Sequence, residues 1–121
     1  MNKTPLQRQI RITPAENDAL VCALEFLSHC EDYTCEGKLF DWKTISTATE
    51  KLEANITIFS KSELSAFIAA IELALQSIHN KDSNYEQVSS IYPELIPELE
   101  DADVLLQHLI PRLKDYFTDL S

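Results

Sequence analysis

The chain has 121 residues, 45% of them hydrophobic, with 20 acidic residues against 10 basic and a formal net charge of −10. Length and apolar content support a single helical domain over 1–121 and exclude a disordered chain. The charge excludes ready contact with a phosphate backbone, and one glycine, Gly37, is too few for a protein built on tight hairpins.

Residues 1–12 carry Lys3, Arg8 and Arg11 without an acid, so they form a basic N-terminal arm on an acidic body. Leu6, Ile10 and Ile12 fall on even positions, as in a short extended segment with one apolar side. The arm has no long apolar run of the signal-peptide kind, and no stretch reaches the roughly 20 apolar residues that span a bilayer. The expectation is a cytoplasmic protein without membrane contact.

Thr13-Pro14-Ala15-Glu16 reads as a helix start, with threonine as N-cap, proline in the first turn and glutamate three residues past the cap. The first helix runs to about Cys30. Leu20, Ala23, Leu24, Leu27 and Cys30 make its buried face, with Asp18 and Glu25 outside. Residues 31–40 break the periodicity and read as a loop. Asp41 then caps a second helix with Trp42, Ile45, Leu52 and Ile56 on one face and Thr49 in the gap, although Asn55–Phe59 also suits a short extended link.

The stretch of about 60–79 is the element the others must cover. Leu64, Ile68, Ile71, Leu75 and Ile78 recur at steps of four and three, and Phe67, Ala70 and Ala74 widen the seam. Only Ser65, Glu72, Gln76 and His79 suit water, a strip too narrow for a surface helix. Ser60 with Glu63 forms a capping box, and Asn80 suits a left-handed end. Ser83 with Glu86 predicts another cap, for a helix that stops before Pro93. From Leu99 to Leu120 a three–four pattern runs through Pro111, where a kink or two collinear pieces are expected. The fold class is all-α, an irregular bundle of four to five helices around the central apolar one.

Chemistry is sparse. His29, Cys22, Cys30 and Cys35 supply nominal metal ligands, yet their spacing differs from that of zinc sites, so ordinary thiols and no metal are expected. No histidine completes a Glu-x-x-His pair, and the chain has neither a nucleophile-elbow motif nor a glycine loop for phosphate. What stands apart is Glu94, Glu98, Glu100, Asp101 and Asp103, five carboxylates in ten residues with no base among them. Acids stabilise the first turn of a helix, but five exceed what one helix end calls for.

The residues therefore point to a small acidic protein-interaction module, a regulator or adaptor without enzymatic activity or cofactor. Those five acids would be its partner-binding residues, and the partner would be a protein, a basic one by charge. A central helix needing so much cover adds the expectation of a homodimer. Two alternatives stay open. One is an inhibitor or nucleic-acid mimic that binds a basic protein such as a nuclease or DNA-binding protein. The other is a metal-binding protein or enzyme using the Cys/His region.

Overall fold

Ser60 and Glu63 set the start of the central helix in the computed structural model, which describes residues 7–29, 34–35, 38–39 and 42–119. The Ser60 side chain accepts from the Glu63 N–H while the Glu63 carboxylate accepts from the Ser60 N–H at 2.8 Å, closing the capping box. Helix α3 then runs Lys61–Asn80. Leu64, Phe67, Ala70, Ile71, Ala74, Leu75 and Ile78 are buried along it, and Gln76 and His79 face water. Each large apolar side chain so buried contributes about 1.5–3 kcal/mol.

The other helices are α1 (Pro14–His29), α2 (Trp42–Glu53), α4 (Ser83–Ile91), α5 (Leu95–Asp101) and α6 (Asp103–Asp119). The molecule is an all-α bundle: α1 and α6 make the main packing against α3, and α2, α4 and α5 complete its cover. One core holds Leu20, Phe26, Leu27, Ile45, Leu52, Phe59, Leu95, Leu99, Leu106 and Leu113 together with the α3 residues. The central helix is therefore covered within one chain, which removes the packing argument for a homodimer. Among the described residues no helix is long and apolar enough to cross a membrane.

Several expectations shift by one residue for a local reason. The left-handed residue ending α3 is Lys81 (φ 50, ψ 49), whose N–H reaches the Ser77 carbonyl at 2.7 Å, and Asn80 stays helical. The cap of α4 is Asp82, not Ser83, because its carboxylate accepts from the Tyr85 N–H at 3.1 Å. A carboxylate so placed also meets the positive end of the helix.

Helix α2 ends at Glu53, where Asn55 takes a left-handed turn (φ 61) and Ile56 N–H returns to the Lys51 carbonyl at 2.8 Å. Ile56 is thus 46% exposed and off the apolar face, which Ile45, Ala48 and Leu52 supply. The extended link is the form the chain takes: β4 (Ile58–Ser60) pairs antiparallel with β1 (Gln7–Gln9), Arg8 opposite Phe59. That pairing seats Ile10 in the core. Within 31–40, Thr34–Cys35 (β2) and Lys38–Leu39 (β3) pair as a second short ladder where a loop was expected.

The final stretch is two helices, broken at Ala102 (φ −89, ψ 0), and α6 continues through Pro111. The break gives six helices among the described residues, where four to five were expected. Pro97 occupies the first turn of α5, where a missing N–H costs nothing. Cys30, Gly37, the Asp41 cap, Lys3 and Leu6 of the arm, and Leu120 lie outside the described residues, as do the side chains of Arg8, Cys35 and Trp42.

Candidate functional site

Helix α1 is the spine of the site. Thr13 Oγ1 accepts from the Glu16 N–H at 3.1 Å and Thr13 N–H donates to Glu16 Oε1 at 2.9 Å, so the expected helix start is a full capping box. Helix propagation from that point places Asp18, Cys22 and Glu25 on one face by steps of four and three. That face lies at the edge of the core, with Cys22 partly buried against it. It looks toward the end of α2 and the junction of α5 with α6.

Between these elements lies an open groove of about 760 Å³. Its carboxylates are Asp18 and Glu25 from α1, Glu53 from α2, and Glu98 and Asp101 from α5. Among the described lining residues there is no lysine or arginine. Ala15, Val21, Ala102 and Leu105 give it apolar surface between the acids, over a floor that includes the buried Leu52. A volume of this order holds a few side chains rather than a domain.

Cys22 joins the two walls, with Sγ donating to Glu98 Oε2 at 3.2 Å. Burial, then the Glu98 carboxylate, then the charges of Glu25 and Asp18 push the thiol up to about 12. At neutral pH it is therefore a protonated hydrogen-bond donor and not a nucleophile. Burial likewise raises Glu25 above the ordinary glutamate value, Glu98 and Glu53 push it further, and His29 one turn along opposes them. Asn17, also on the groove, donates through Nδ2 to the Leu52 carbonyl at 3.0 Å, while its buried Oδ1 has no partner among the described residues.

The five acids singled out from sequence do not form one patch. Glu98 and Asp101 line the groove. Glu94 precedes α5 in helical backbone geometry, exposed and making no side-chain cap, and Glu100 is exposed outside the groove lining. Asp103 belongs to another contact: Oδ2 meets His79 Nε2 at 2.8 Å and Oδ1 accepts from Gln107 Nε2 at 2.7 Å, and these partners hold its carboxyl below the usual range.

The sequence alone left Asp18 and Glu25 as plain outer residues of the first helix, and it passed over Glu53 and Asn17. The available signal was the Asp18–Cys22–Glu25 spacing, which aligns two acids and a thiol on one helix face. Among the described residues no group of three or more His, Cys, Asp or Glu is arranged to hold a metal ion. His29 packs obliquely on Tyr92 with ring centroids 5.7 Å apart, and His108 is exposed.

Fold and groove together define a class, an all-α bundle with a carboxylate-lined groove on its outer surface. Comparison with protein-family models, curated proteins and solved structures returns no match.

Proposed function

We propose that the chain is a small non-enzymatic protein-interaction module that seats a basic segment of a partner protein in the groove between α1, α2 and α5. The observation that carries this reading is that three helices bring five carboxylates to one groove, with no lysine or arginine among its described lining residues. Like charges held together cost free energy until a cation neutralises them. A basic segment would relieve that cost, and its apolar side chains would meet the alanine and leucine surface between the acids. Attraction of this kind acts first on the association rate and fades as salt screens it.

A nucleic-acid mimic is less favoured. Imitating a phosphate backbone asks for acids in a continuous exposed row, whereas the 94–103 acids separate into the groove, the free surface around Glu94 and Glu100, and the His79 contact.

The test uses a synthetic peptide alternating lysine or arginine with leucine, and two variants of matched charge. Glu98→Gln with Asp101→Asn removes two groove charges; Glu94→Gln with Glu100→Gln removes two outside it. Stopped-flow association at low salt should fall about tenfold for the first pair and less than about twofold for the second. Equal slowing by both pairs would reduce the effect to net charge and overturn the groove as the site.

A further inference from the structure

The two strands of the β1–β4 ladder are fastened to the bundle by different means. β4 carries its own anchors. Phe59 is fully buried and meets Phe67 edge-on with ring centroids 4.8 Å apart. Lys51 Nζ donates to the Ile58 carbonyl at 3.1 Å and pairs with the buried Glu63 at 2.8 Å. These contacts do not involve residues 7–12. That segment is held by the ladder itself, by Ile10 in the core and by α6. The Ile10 N–H donates to the Thr57 carbonyl at 2.9 Å, the Arg11 N–H donates to the Tyr116 hydroxyl at 3.3 Å, and Arg112 Nη2 donates to the Arg11 carbonyl.

The Arg112 part of this fastening depends on Glu16. Glu16 Oε2 accepts from Arg112 Nη1 at 2.6 Å and so orients the guanidinium whose other arm holds Arg11. Glu16 Oε1 accepts from the Thr13 N–H at 2.9 Å, which fixes the link as it enters α1. Helices α2, α3, α5 and α6 all pack on α1, and among the described residues Arg112 is the charged group they bring to bear on Glu16. One buried carboxylate therefore joins Arg112, Thr13 and, through Arg112, Arg11.

We propose that residues 7–12 form a pH-gated strap latched by Glu16: neutralising this carboxylate loosens Arg112 and Thr13 together, and the segment lifts from β4 and α6 as a unit while the helices stay packed. A neutral carboxyl accepts weaker hydrogen bonds than a carboxylate and offers Arg112 no opposite charge. The guanidinium then loses the partner that turns it toward the Arg11 carbonyl. The sign follows from the hold on Glu16, whose carboxyl lies below the ordinary glutamate value: the latch is closed above that value and opens as pH falls through the lowered one. Opening of the segment costs less than unfolding of the bundle, because among its described residues Ile10 alone is fully buried. The open form bares the edge of β4 and the seat of Ile10.

The experiment is amide hydrogen exchange by NMR on the full chain, from about pH 6 to about pH 3, for the parent, Glu16→Gln and Arg112→Gln. Glutamine at position 16 still accepts from the Thr13 N–H in a capping box, so the first variant isolates the charge, and the second leaves the Thr13–Glu16 box whole. In the parent, protection of the Ile10 and Arg11 amides should fall about tenfold relative to Ile71 and Ala74 of α3 as pH falls, the size of one lost hydrogen bond to a charged group. Both variants should show the lower strap protection already at pH 6, and in Glu16→Gln it should stay flat with pH. Loss of protection in the strap and α3 together would overturn the proposal, because the acid transition would then be unfolding of the whole bundle. An unchanged pH profile in Glu16→Gln would move the effect to another acid, such as Glu63, and overturn the latch. Parent-like strap protection in Arg112→Gln would do the same.

Discussion

Glu16 and Glu25 are nine positions apart on α1, and the contrast between them separates what holds this molecule together from what leaves it incomplete. Glu16 is buried, and burial pushes its carboxyl up, but the Thr13 N–H, the Arg112 guanidinium and the Thr13 hydroxyl together outweigh that and hold it low. Arg112 Nη1 donates to Glu16 Oε2 at 2.6 Å and Nη2 donates to the Arg11 carbonyl, so α6, the start of α1 and the link between β1 and α1 are tied at one point. Every oxygen of Glu16 has a donor. Glu25 is less buried but is surrounded by acids from two other helices. One carboxylate is neutralised inside the chain, and the other has acids as its main charged neighbours, with His29 opposing them.

The most damaging test of the comparison removes the scaffold common to both. Ile71 is fully buried at the middle of α3, and Ile71→Ala should cost about 2–5 kcal/mol through the cavity it leaves. Gln76→Ala, on the exposed side of the same helix, should cost well under about 1 kcal/mol. Denaturant midpoints check this, and equal losses would mean the helix faces are misassigned.

Glu16 comes next in size. Glu16→Ala removes a cap and leaves Arg112 without its carboxylate, at a cost of about 2 kcal/mol. The sign of its pH dependence follows from its lowered pKa: the stabilisation is present above the ordinary glutamate value and is lost as pH falls through the lowered one. Thermal melts of parent and variant should therefore converge in acid and separate toward neutral pH.

Glu25 should behave in the opposite sense. Its pKa is raised, so the stabilisation it gives is complete below the ordinary value and is lost as pH rises through the folded one. At neutral pH its charge works against the fold, and Glu25→Gln should stabilise the protein. The gain is a few tenths of a kcal/mol, because solvent screens a half-buried group. Melting temperatures above the parent's at pH 7, with the difference shrinking in acid, are the expected result. Destabilisation at neutral pH would erase the contrast with Glu16.

How much of this was legible before the fold depends on range in sequence. The capping boxes at Thr13–Glu16 and Ser60–Glu63, and the α3 seam, involve residues within a few turns of one another, so periodicity and cap chemistry find them. The one-residue shifts at Lys81 and Asp82 are choices between adjacent polar residues that local pattern does not resolve. The break at Ala102 was hidden because Leu99 and Leu106 keep the same apolar face on either side of it.

The groove was out of reach for a different reason. It is assembled from α1, the end of α2 and α5, and Glu98 lies 76 positions from the Cys22 that hydrogen-bonds to it. Sequence clustering instead drew attention to Glu94–Asp103, a run that the helix break and the helical turn divide among separate faces. Charge density along a chain reports composition, and only the packing of helices decides which charges meet.

The central claim, that the unneutralised face of α1 is where a basic partner sits, is tested most directly by amide NMR of the isotopically labelled chain titrated with the lysine–leucine peptide at low salt. The account predicts the largest shift changes at Asp18, Val21, Cys22, Glu25, Glu53, Glu98 and Asp101, with the Arg112 clamp and the Glu94 and Glu100 surface little affected. Shifts centred on Glu94 and Glu100, or on the exposed Ile56 and on Ile58 at the end of the β1–β4 ladder, would contradict it.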